Sequence, residues 1–176
     1  MKKELIALCT VLSLGMLSSA KDLVFQNHTY RVASAPKNWI DANKEAEAQG
    51  GYLVTIESKE ENKFLLDALK DAGVRTVAKD GGGAVYAWLG ASDIAREGDW
   101  HWINGARVSS GFSNWGSGSA GKEPDNFQGN QDALAIGVTG WPAANPGTLG
   151  HPGEWNDLNQ NDRLAFVIEF DQAPGK

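Results

Sequence analysis

Apolar side chains first recur at helical spacing at Trp39, Ala42 and Ala46, with Gln49 continuing the row more weakly. Gly50-Gly51 closes this segment, so the pattern predicts a short helix with a small-residue inner face. Tyr52 to Ile56 reads as a strand, and Ser58 followed by Glu61 forms a capping box ahead of a second helix. That helix runs through Leu69 with Gly73 as its stop, and Phe64, Leu65, Leu66 and Leu69 are its predicted core contacts. The pattern then changes. Gly81-Gly82-Gly83 marks a turn, and Val85 to Gly90, Ala133 to Val138 and Leu164 to Phe170 are apolar strands, with Trp100 to Ile103 a shorter aromatic stretch. Helices early and strands late predict an α+β fold. Between Ser109 and Gly153, Gly, Ser, Asn and Pro dominate, and a loop region of that length inside a compact domain is functional or disordered.

With 176 residues and a 41% hydrophobic fraction, the chain is expected to form one domain with a sizeable core. Residues 1–20 run from Lys2-Lys3 through an apolar stretch, Leu5 to Leu17, to Ser18-Ser19-Ala20, the order of a secretory signal. The apolar stretch is short of the roughly 20 residues that cross a bilayer. The expectation is a secreted or periplasmic domain over residues 21–176, without membrane insertion of the mature chain. Cleavage after Ala20 removes Lys2, Lys3, Glu4 and Cys9, which changes the 16 basic and 22 acidic residues to 14 and 21, a formal charge of −7. No cluster of Lys and Arg offers a polyanion its counterions, so a nucleic-acid partner is not expected. The single cysteine leaves with the signal, so neither a disulfide nor a thiol nucleophile is available to the mature domain.

The loop-rich stretch holds Glu123-Pro124-Asp125-Asn126, Asn130-Gln131-Asp132 and Trp155-Asn156-Asp157. Side-chain oxygens gathered on loops suit a hard cation such as Ca2+, which takes six to eight oxygens in flexible geometry. Pro124 adds a mechanical element, because a cis bond before it turns the two flanking carboxylates to one side, and cis bonds belong almost wholly to proline. By composition alone these residues read as solvated surface and ordinary turn chemistry.

The order of motifs alters that balance. Trp39-Ile-Asp-Ala, Gly50-Gly-Tyr-Leu-Val-Thr-Ile, Ala87-Trp-Leu-Gly-Ala91, Trp100-His-Trp102, Ser113-Asn-Trp115, Glu123-Pro-Asp125, Trp155-Asn-Asp157 and Phe166-Val-Ile-Glu169 follow one another as they do in a C-type lectin-like domain. The chain resembles that family along nearly all of its mature length, in particular the cysteine-free members common in bacterial proteins. The resemblance implies the C-type lectin-like fold: two helices, small antiparallel sheets and a long calcium-binding loop region. It also implies a sugar-binding Ca2+ held by Glu123, Asp125, Gln131, Asn156 and Asp157, with the Asp157 carbonyl contributing. Sugar hydroxyls then meet the ion directly, and Glu123, Asp125, Gln131 and Asn156 hydrogen-bond the same hydroxyls.

The chain departs from the family pattern at several places. Mannose-type relatives read Glu-Pro-Asn with Glu at the Gln131 position, and galactose-type relatives read Gln-Pro-Asp. The pattern here is a hybrid in which Asp125 restores the negative charge that Gln131 removes, while the order of donors and acceptors changes. Phe127 sits where galactose-type relatives present a ring to the sugar, which tips the expectation toward galactose-like ligands, although a ring there can equally pack the loop. An auxiliary calcium set maps to Asp93, Glu97, Asn126, Gln131 and Asp132, and its lowered charge predicts weak or absent filling. The family's disulfides would fall at Ala46 with Ile168 and at Ala133 with Gln160. The segment between Ile136 and Trp155 is longer than in typical relatives, and Trp141 within it either packs the loop or extends the sugar site. Trp88, Trp100, Trp102, Trp115 and Trp155 coincide with framework positions and are expected in the core.

The expected function is therefore a secreted calcium-dependent lectin. The alternative is a non-sugar binding or adhesion module in which calcium only braces the long loops. An enzyme is not expected: His28, His101 and His151 are isolated in sequence, and a calcium ion holding both Glu123 and Asp125 would prevent their use as the acid and base of a glycosidase. One shallow sugar site binds weakly, so avidity would need copies, and a homo-oligomer would have to form through the domain surface.

Overall fold

The computed structural model describes residues 21–171, and the predicted signal segment with Cys9 lies outside the described residues. The chain enters as a hairpin: Asp22–Phe25 (β1) pairs antiparallel with His28–Lys37 (β2), Phe25 opposite His28. The turn is closed by Gln26 at φ 51°. This hairpin is absent from the hydrophobic pattern and corrects the expectation of helices first. β2 carries only two large apolar residues that point inward, Tyr30 and Val32, and its partner β10 lies more than a hundred residues further on.

The helix Trp39–Ala48 (α1) buries the predicted row of Trp39, Ala42 and Ala46. The Asn38 side chain caps it by accepting a hydrogen bond from the Asp41 amide at 2.8 Å. The strand after it is shorter than predicted, Tyr52–Leu53 (β3), yet Val54, Thr55 and Ile56 stay buried. There the Val54 amide bonds the Val167 carbonyl, and the Val54 carbonyl accepts from Gly90. A Cβ at Gly90 would run into the Leu53 backbone, so only glycine allows this approach. The second helix, Lys59–Asp71 (α2), is capped as expected by Ser58 Oγ, 3.1 Å from the Glu61 amide. The box is only half formed. Glu61 turns its carboxylate to the Glu57 amide and the Tyr30 hydroxyl rather than back to Ser58. Leu65 and Leu69 are fully buried, while Phe64 and Leu66 are half-buried against the core.

The remaining strands are Tyr86–Ser92 (β4), His101–Trp102 (β5), Ser117–Gly118 (β6), Gly121–Lys122 (β7), Ala133–Gly137 (β8), Trp155–Leu158 (β9) and Leu164–Phe170 (β10). Eight strands make one sheet in the order β1-β2-β10-β4-β8-β9, with β3 added on β10 and β5 on β4, while β6 and β7 pair separately. All pairs are antiparallel except β10 with β4. The central strands are buried on both faces, and successive residues alternate between two apolar clusters, as the two-residue period of a strand requires. Leu89, Leu134, Ile136 and Val167 join α2 and the aromatic group Trp100, Trp102 and Trp155 on one face. Trp88, Ala135, Phe166 and Ile168 join α1 and Trp141 on the other. Ala46 and Ile168, a pair of positions where the resembled family carries a disulfide, are both fully buried in this second cluster. The loops around residues 79–82, 123–131 and 138–153 gather at the β8–β9 edge, tied there by hydrogen bonds from the Asn159 amide to Asp80, from the Asp125 amide to Asp157 and from the Gly153 amide to the Gly137 carbonyl.

Candidate functional site

The site is built from the edge inward. β8 and β9 pair with Leu134 opposite Asp157 and Ala135 opposite Asn156, which fixes both β9 side chains to the sheet. The loop after β7 brings in Glu123 and Asp125, and the Glu123-Pro124 peptide is cis. Asp157 binds that loop through its carboxylate: Oδ2 accepts from the Asn126 amide at 2.7 Å and Oδ1 from the Asp125 amide at 3.2 Å. One carboxylate oxygen each of Glu123, Asp125 and Asp157 then lies within 4.8 Å of the others, the one such group of three His, Cys, Asp or Glu side chains among the described residues.

Glu123 and Asp157 are buried, and Asp125 is exposed. Glu123 Oε1 accepts from the Trp141 indole at 2.9 Å, whereas Oε2 is buried without a protein partner. Burial pushes the Glu123 carboxyl up to about 7; the Trp141 hydrogen bond opposes the shift, and the charges of Asp125 and Asp157 add to it. Burial likewise pushes Asp157 up to about 6 against the amides that bind it. Carboxylates drawn together and desolvated without a counter-charge are costly as they stand, and a hard cation relieves both costs. The donor set fits such an ion.

Gln131 and Asn156 face the same cavity, about 220 Å³, together with Asp80 and Phe127. Gln131 is buried, its Oε1 accepting from the Phe127 amide at 2.7 Å and its Nε2 lying 3.4 Å from Asp80 Oδ2. Asn156 donates from Nδ2 to the Tyr86 hydroxyl at 3.0 Å. Phe127 is about half exposed (49%) at the rim and does not pack into the core. A larger cleft, about 640 Å³, carries Glu61 and Glu169. There the two oxygens of Glu61 accept from the Tyr30 hydroxyl and the Glu57 amide, while Glu169 accepts from the Thr55 amide through Oε2 and lies 2.6 Å from His28 Nδ1 through Oε1.

Residues 35–170 match the model of the Lectin C-type domain. The chain belongs to the C-type lectin family. Members of this family are carbohydrate-binding, typically calcium-dependent, and not enzymes. A perlucin-like protein of Mytilus galloprovincialis is 32% identical over 144 residues, 81% of this chain and 76% of that protein. C-type lectin domain family 4 member M of Hylobates lar is 33% identical over 118 residues, 66% of this chain and 26% of that longer protein. In structure, the carbohydrate-recognition domain of the human scavenger receptor C-type lectin superposes with a TM-score of 0.65 at 22% identity, covering 86% of this chain and 96% of that one.

In this C-type lectin domain the auxiliary residues lie beside the main group, joined to it by Asn126. Asn126 donates from its side chain to Glu97 at 2.5 Å, accepts from the Gln131 amide at 3.1 Å, and is held at φ 47°. Asp93 is buried, with Oδ2 bonded to the Gly98 amide and Oδ1 unpartnered. Burial pushes it up to about 6, with Glu97 and Asp132 adding to the shift. The carboxylates of Asp93, Glu97 and Asp132 do not converge as the main three do. The five framework tryptophans lie in or against the core, with Trp115 edge-on to Trp100 and Trp155. Two residues beside the site were not singled out by sequence reasoning. Asp80 faces Gln131 from 51 residues away and also accepts from the Asn159 amide at 2.9 Å. Tyr86 lies inside an apolar strand, where a hydroxyl gives no sign of its partner. No helix of the described residues is long and apolar enough to cross a membrane.

Proposed function

We propose that this C-type lectin domain is an exported, calcium-dependent carbohydrate-binding protein. The observation that carries the reading is the convergence of Glu123, Asp125 and Asp157, one of whose carboxylates, Glu123, keeps a buried oxygen that no protein donor satisfies. Calcium would be held by Glu123, Asp125, Gln131, Asn156 and Asp157. When bound, it supplies open coordination positions for two neighbouring sugar hydroxyls, and the ligating side chains hydrogen-bond the same hydroxyls. Asp125 and Phe127 are the exposed members of the site, so they meet a sugar first. A half-exposed ring beside the carboxylates favours a sugar with an apolar face to stack on, a galactose-like ligand. The auxiliary residues Asp93, Glu97, Asn126 and Asp132 would hold a second calcium weakly. Removal of residues 1–20 would deliver the domain to a calcium-rich exterior or periplasm.

Glycan-array binding of the purified domain tests the reading. Binding is expected in millimolar-range calcium and is abolished by a chelator, galactose-bearing glycans outranking mannose-bearing ones. Chelator-sensitive folding with no glycan signal would mean that calcium only braces the loops, and the domain would then be a module for some other ligand.

A further inference from the structure

We infer that Trp141 and Tyr86 are positioning residues of the calcium site, two buried aromatic side chains that determine which oxygen of Glu123 and which end of the Asn156 amide is left to the ion. The inference rests on the calcium reading above and adds to it a role for the long 138–153 segment.

The hydrogen-bond inventory makes the arrangement directional. An indole N–H is a donor only and serves one acceptor at a time. Trp141 Nε1 takes Glu123 Oε1 at 2.9 Å, and so fixes the carboxylate with Oε2 buried and unpartnered. Tyr86 donates its one hydroxyl hydrogen to the Gly81 carbonyl at 2.8 Å. Toward Asn156 it can then only accept, which it does from Nδ2 at 3.0 Å. An asparagine side chain has two near-identical ends, and the hydrogen-bond network decides between them. Here the NH2 end is committed to Tyr86, and Oδ1 is the end that remains.

The two devices form one packed unit. Both side chains are fully buried, and their rings lie 5.6 Å apart, inclined by 57°. The indole is seated among three glycines: a methyl at Gly116, Gly137 or Gly150 would overlap it. The Trp141 and Gly150 backbones bond to each other, closing the long segment over the ring. A ligand set held in one rotamer before the ion arrives does not have to be ordered when it binds, which is how outer partners strengthen a metal site.

Trp141→Phe and Tyr86→Phe each keep a ring and remove one polar group. Calorimetric titration with calcium chloride is expected to show roughly tenfold weaker binding for Trp141→Phe, which loses a hydrogen bond to a charged group, and roughly threefold weaker binding for Tyr86→Phe. In the wild-type chain the indole Nε1–H resonance of Trp141, identified by its contacts with Tyr86, is expected to shift as calcium is added; this readout needs no variant to fold. Wild-type calcium affinity in both variants overturns the inference, as does a loss of thermal stability in chelator with affinity unchanged. A Trp141 resonance that stays still while calcium binds overturns it too. If the wild-type chain gives no binding heat with calcium, the calcium reading itself fails and the inference falls with it.

Discussion

At the scale of single residues, Glu123 is where folding and binding oppose one another. Its carboxyl is carried up to about 7 by burial, and a neutral side chain there would avoid that cost. Glu123→Gln keeps an acceptor for the Trp141 indole while removing the charge. At pH 8 in chelator this variant is expected to melt higher than the wild type, while added calcium, which raises the wild-type melting temperature, leaves the variant unchanged. Thermal denaturation with and without calcium measures both; a variant less stable than wild type in chelator would contradict the account of Glu123. Glu123, Asp125, Asn156 and Asp157 were legible in the sequence because each lies in a short run whose order is itself a signal. Asp80, Tyr86 and the partner of Trp141 were not, because each makes its contact across 18 to 70 residues of chain, and nothing in a linear pattern marks which distant polar group a buried hydroxyl or indole will meet.

At the scale of elements, both helices were legible because spacing and caps agree: a row of small residues closed by glycine for α1, and Ser58 ahead of an apolar stripe for α2. The β1–β2 hairpin was not, since its burial comes from β10 at the far end of the chain and its own alternation, kept over Tyr30-Arg31-Val32, fails at Ser34 and Pro36. By composition the 138–153 segment belongs to a stretch that reads as functional or disordered loop; it closes on itself through the Trp141 and Gly150 backbones and buries an indole completely. Packing there leaves no spare volume. Gly150→Ala forces a methyl into the Trp141 ring and is expected to cost about 1–3 kcal/mol, the usual range for overpacking a filled core. Denaturant unfolding in chelator would register it, and a variant as stable as the wild type would show that the segment yields more easily than its contacts suggest.

At the scale of the whole molecule, several raised carboxyls act in the same direction. Asp93 and Asp157 stand at about 6, Glu123 and Asp162 at about 7, each lifted first by burial. Such groups bind protons more tightly in the folded chain than in the unfolded one, so folding is favoured at the acid side of the interval and weakens as pH rises. In calcium-free buffer the melting temperature is therefore expected to fall between roughly pH 4 and pH 7. The increment from saturating calcium should grow over the same interval; a melting temperature that climbs throughout the interval without calcium would reverse the sign. The remaining architecture is indifferent to a different variable. With Ala46 and Ile168 buried in one apolar cluster, at positions where the family resemblance implies a disulfide, and no cysteine after Cys9, the redox poise of its surroundings has no covalent hold on this domain. It can fold in a reducing compartment as well as an oxidising one, and thiol reagents that would dismantle a cross-linked relative leave its loops in place.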